Sequence, residues 1–155
     1  MDEQATRDLL CFAAEVDRGL DDRLRAVALY QDGLLAFWRG DDEEACSLHG
    51  RSLQLARRLD DQTVTALALC GLARVALRED LDWARTLGEE ALAAVEGTED
   101  RAGRANALHV LRVAVRMQGD PQEARRLLAQ RIELAQELGD FPAIGAESSA
   151  LALRG

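Results

Sequence analysis

Residues 66–95 read ALALCGLARVALREDLDWARTLGEEALAAV, two amphipathic helical runs joined at Arg78-Glu79-Asp80. Weaker copies of the same hairpin precede and follow it. GDDEEACSL at 40–48, DLDWARTL at 80–87 and GDPQEARRL at 119–127 superpose, and their alanines, Ala45, Ala84 and Ala124, lie 39 and 40 residues apart. Three residues on come Leu48, Leu87 and Leu127; eight on come Leu53, Leu92 and Ile132; eleven on come Ala56, Val95 and Ala135. Offsets of 0, 3, 8 and 11 stay on one stripe of a 3.6-residue helix. The small residue that opens each stripe lets a neighbouring helix come close. A fixed period with one helix pair per unit is the signature of a solenoid.

The residues resemble the tetratricopeptide repeat family. Leu67-x-x-Cys70-Gly71 carries the small central residue of that family's first helix, and Ala84 and Ala91 stand where its second helix has alanines. In the first unit Gly33 takes the part of Gly71, and Ser52 that of Ala91. The chain departs from the pattern where Leu67 replaces a tryptophan, Arg74 replaces a tyrosine and the closing proline is absent. Its period is also longer than the family's repeat of about 34 residues. This longer form is similar to repeat tracts of large actinobacterial transcriptional regulators, which serve as sensing or docking segments. The resemblance implies an all-α, right-handed superhelical solenoid of antiparallel helix pairs, about eight helices in all.

Capping signals divide a single domain over 1–155. An opening half-repeat, 1–20, carries Leu9, Phe12, Ala13 and Val16 on one face and reads as a cap on the stack. Gly19 and Asp21-Asp22 are expected to end its helix and start the next. Repeats follow over 21–60, 61–99 and 100–139, with helices expected at 22–39, 42–59, 62–78, 81–96, 101–118 and 121–138. Asp41, with Glu44 three residues on, and Asp120-Pro121 are N-terminal signals. The turn at 78–80 lacks the glycine of Gly40-Asp41 and Gly119-Asp120, so one fewer linker residue is expected there. A last capping helix is expected within 140–155.

Composition narrows the function. The chain is 48% hydrophobic but only 4% aromatic, which suits closely packed helices. Net charge is −9, all 19 cations are arginine, and they form no basic stripe. Phosphate backbones need a cationic surface, so nucleic acid is not an expected partner. Cys11, Cys46 and Cys70 form no CxxC, and each reads as a small core residue. No signal layout or spanning run is present, so a cytoplasmic protein without membrane contact is expected.

Nothing calls for catalysis. His49 and His109 are the only histidines, and no HExxH, GxSxG or phosphate loop accompanies them. The cysteines and histidines offer no zinc spacing, so neither metal nor cofactor is expected. The family's geometry implies that first helices line a groove. Aligned on Gly33, Gly71 and Arg112, the first unit presents Val27, Tyr30, Leu34, Phe37 and Trp38. The second presents Thr65, Ala68, Leu72 and Val75, and the third Asn106, His109, Val113, Arg116 and Met117. An aromatic and aliphatic wall facing a few polar groups suits a peptide or protein partner. It also suits a small molecule, or packing and a homodimer. A closed cavity around Trp38 and His109 would favour the small molecule. An open channel with exposed Leu34, Leu72 and Val75 would favour a peptide. An enzyme would need titratable groups meeting, such as His109 with a carboxylate.

Overall fold

The computed structural model describes residues 3–139, which form six α-helices: α1 Glu3–Trp38, α2 Asp42–Arg58, α3 Gln62–Ala76, α4 Leu81–Val95, α5 Arg101–Met117 and α6 Pro121–Leu138. Each helix packs against the next, and the first helices of the pairs also touch, α1 with α3 and α3 with α5. Among the described residues the backbones of the second helices do not come close to one another. The first helices therefore form the inner layer of the stack and the second helices the outer one. The final expected helix lies outside the described residues.

Helix starts follow from local chemistry. Asp41, Asp61, Asp80, Asp100 and Asp120 each accept a hydrogen bond from the backbone N–H three residues on. Each cap satisfies one amide that the helix itself leaves without a partner. Gly40 and Gly119 reverse the chain at φ +83° and +87°, a region open to glycine without a Cβ penalty. The glycine-free corner between α3 and α4 behaves contrary to expectation. It spans 77–80, one residue longer than 39–41 and 118–120. Without a left-handed residue, the chain unwinds over Leu77 to Glu79 before Asp80 N donates to the carbonyl of Ala76.

A second correction concerns α1. The opening segment is not a separate helix, because α1 runs through Gly19 and Asp21-Asp22 for 36 residues. One helical glycine costs only about 1 kcal/mol, and no proline stands there to block the ladder. Residues 3–20 thus extend past the α1/α2 pair by about 27 Å at 1.5 Å per residue. Cys11, expected in a core, lies exposed on this extension, whereas Cys70 is buried and Cys46 half-buried; all three are free.

The repeated stripe forms the core. Ala45, Ala84 and Ala56 are fully buried, as are Leu87, Leu127 and Val95 to within a few per cent. At the centre of the first three helices stands His49, which is 0% exposed. A Cβ built on Gly33 of α1 would lie 2.6 Å from its ring, and one on Gly71 of α3 would lie 2.5 Å away. The imidazole is thus a wedge seated between two glycine backbones. Tyr30 packs on it at 5.5 Å between ring centroids. Beside it, Ser52 Oγ donates to the carbonyl of Ala26 at 2.7 Å and closes the α1/α2 contact.

Gly71→Ala should therefore lower stability by about 1–2 kcal/mol, although alanine is the better helix former. In a His49→Ala background the same change should become neutral or stabilising. Urea unfolding of the double-mutant cycle measures this coupling, and additive effects would contradict the wedge.

Candidate functional site

The inner layer does not keep the expected groove residues together. Tyr30 is 6% exposed and turned into the core against His49. Leu34 and Phe37 are half-buried. Phe37 carries Trp38 edge-on at 5.3 Å and the Arg78 guanidinium over its face at 3.9 Å. Arg78 is also paired with Asp42. Trp38 itself is 76% exposed at the end of α1.

On α3 the expected register falls inside the protein. Thr65, Ala68, Leu72 and Val75 are all buried. The accessible positions of that helix are instead Gln62, Thr63, Leu67 and Arg74, with Leu77 and Arg78 in the corner that follows it. α3 lies between α2 and α4 and also touches α1 and α5, so only a narrow strip reaches solvent.

The third unit presents its polar set. Asn106, His109 and Val113 are half-buried on α5, and Arg116 and Met117 are exposed. Arg74 reaches across from α3 and donates from Nη2 to Oδ1 of Asn106, while its Nη1 is buried with no hydrogen-bond partner among the described residues. From α6, Arg131 Nη1 stands 3.2 Å from Nδ1 of His109. A guanidinium has no lone pair to offer, so Nδ1 accepts and the ring is neutral with its proton on Nε2. Burial, with Arg131, Arg112 and Arg74 nearby, pushes the His109 pKa down to about 4. His109 thus meets cations rather than the carboxylate an acid–base pair would need. Arg74 and Arg131 were not among the expected groove residues. The signal at Arg74 was its departure from the family's tyrosine; Arg131 gave none.

Two depressions elsewhere are open to solvent. One of about 410 Å³ lies between α1 and α2, with Arg25, Arg51 and Arg58 over Leu29, Leu55 and Leu59. The other, about 700 Å³, is at the corner carrying Glu79, Asp80, Asp82 and Asp120. Neither encloses Trp38 or His109. Among the described residues no group of histidine, cysteine or carboxylate side chains is arranged to hold a metal ion, and no helix is long and apolar enough to cross a membrane.

A stack of antiparallel helix pairs whose first helices form an inner layer defines a helical-repeat solenoid. Residues 24–96 match the model of the tetratricopeptide repeat family. A crystal structure of a TPR-like protein from Chlorobium tepidum TLS is similar at a TM-score of 0.66 and 16% identity, covering 87% of this chain and 97% of that one. No curated protein matches the sequence. The chain has a TPR-like fold, and residues 24–96 carry the sequence pattern of the tetratricopeptide repeat.

Buried His49 and half-buried His109 make stability depend on pH. Burial and the nearby Arg74 lower the His49 pKa from 6.5 to about 4. Between those values the unfolded chain binds protons that the native state refuses, so stability is full above pH 6.5 and falls as the pH drops towards about 4. His49 alone should account for up to about 3 kcal/mol of this loss. Chemical denaturation across that window should show the decline, and His49→Met should flatten it. An unchanged slope in the variant would mean that the ring is not held neutral.

Proposed function

We propose that the chain is a non-catalytic binding module, regulatory in role, that recognises a peptide segment of a protein partner along its inner layer. The segment carries a carboxylate, which docks at Arg74, Asn106 and His109. The observation that carries this reading is Arg74 Nη1, a buried cationic donor without a partner among the described residues. Leaving a charged donor unpaired is costly, and an incoming carboxylate would remove that cost with a charge-assisted hydrogen bond. Nε2–H of His109 adds a neutral donor beside it. Val113 and Met117, on the same helix, offer apolar contact to the neighbouring residues of the peptide.

The acidic net charge of −9 makes the local concentration of arginine informative: a cationic site in an anionic protein selects carboxylates by contrast with its surroundings.

Fluorescence polarisation with a short labelled peptide ending in acidic residues tests the reading. Binding should weaken by about tenfold or more in Arg74→Gln and in the peptide's amide-capped, glutamine-substituted form, roughly the loss of one charge-assisted contact. Equal affinity for acidic and neutral peptides would sink it. Circular dichroism should show unchanged helicity, since the Arg74 head group is not part of the apolar core.

A further inference from the structure

The α1 extension carries a surface distinct from the Arg74 site. Leu9, Phe12, Val16 and Leu20 are 61%, 65%, 51% and 56% exposed. These positions belong to a pattern that runs the whole length of α1. Leu9, Val16 and Tyr30 fall on one seven-residue spacing, whose remaining place is Arg23, paired with Asp61; Phe12, Gly19, Ala26 and Gly33 fall on a second, and Leu20, Val27 and Leu34 on a third. A seven-residue spacing drifts by only about 20° per repeat on a straight helix, so the positions form one continuous strip. Beyond residue 25 the strip is covered: Ala26, Tyr30 and Gly33 are buried, Val27 and Leu34 half-buried, under α2 and α3. Over residues 9–20 the same strip is bare. An isolated helix of this length is marginal in water, and in proteins such helices persist by packing an apolar face.

Charge selects the occupant. Asp8, Glu15 and Asp22 stand beside the strip at the same seven-residue spacing, and Asp22 is already paired with Arg25 at 3.2 Å. Arg7 and Arg18 lie on the far side of the helix by its 100° turn per residue. A second copy laid antiparallel on the strip would set the Asp8 and Glu15 row against its own image, a repulsive arrangement. A helix with arginine or lysine beside its apolar stripe would instead find acids at matching intervals. We propose that the bare strip of α1 over residues 9–20 docks a cationic amphipathic helix of a partner protein, in the place that α2 and α3 occupy further along the same helix.

The test uses the full chain and two synthetic amphipathic helices as long as the strip, with the same leucine stripe flanked by lysine in one and glutamate in the other. The lysine peptide should bind saturably. Affinity should fall by at least about tenfold for the glutamate peptide and for the double variant Leu9→Glu with Phe12→Glu, and should weaken as salt is raised. The double variant should keep its melting temperature, because the extension lies outside the packed stack. A benzophenone side chain placed at Phe12 should cross-link to the lysine peptide. Equal binding of both peptides, or cross-linking only to a second copy or to residues 140–155 of the same chain, would overturn the proposal.

Discussion

His49 is fully enclosed between Gly33 and Gly71, and the spacing of the first three helices depends on that contact. Two glycines remove the side chains that would hold α1 and α3 apart from α2, and an imidazole from α2 fills the space they leave. Close-packed interiors tolerate little change in volume. The three positions therefore act as one unit, and the aromatic ring of Tyr30 completes it. The cost is a buried ring whose nitrogens find no hydrogen-bond partner among the described residues, which keeps the imidazole neutral. The same bare backbones are what allow a histidine, rather than a small aliphatic residue, to stand at the centre of an alanine-rich core.

From this wedge the stack grows by repetition. Each unit reuses an aspartate cap, a small residue at the helix crossing and a leucine behind it. The result is a scaffold with strong local instructions and a single non-repeating inner surface. Ion pairs such as Arg23 with Asp61 and Arg57 with Glu90 link neighbouring units along the outside. They are exposed, so they contribute little to stability and more to solubility. Function must come from what differs between units. Those differences concentrate in α3 and α5, where Arg74, Asn106 and His109 stand among cations, and in the unpaired length of α1.

Much of the architecture was legible in the chain. The boundaries of α2 to α6 fall within a residue or two of the expected ones, since aspartate caps, Gly40, Gly119 and Pro121 act through bonds a few residues away. The buried stripe of Ala45, Ala84 and Ala124 was readable for the same reason. The candidate site was less legible. Asn106, His109, Val113 and Arg116 were placed on an accessible face, but Thr65, Leu72 and Val75 were assigned to a groove and lie in the core. A central first helix is enclosed by four neighbours, and a periodic pattern on one helix does not reveal how many others surround it.

By itself, then, the sequence determined the class of fold, the repeat, the caps and the stripe each second helix buries, because all of these arise from interactions within a turn or two of helix. Only the tertiary structure decided that Gly19 continues α1 instead of ending it, that His49 is enclosed while Trp38 is not, and that Arg74 and Arg131 converge on the polar residues of α5. Those outcomes join residues 16 to 32 positions apart across helix interfaces, or turn on one weak helix breaker set against a long continuous ladder. Their energies depend on the packing of whole helices, which no local pattern encodes.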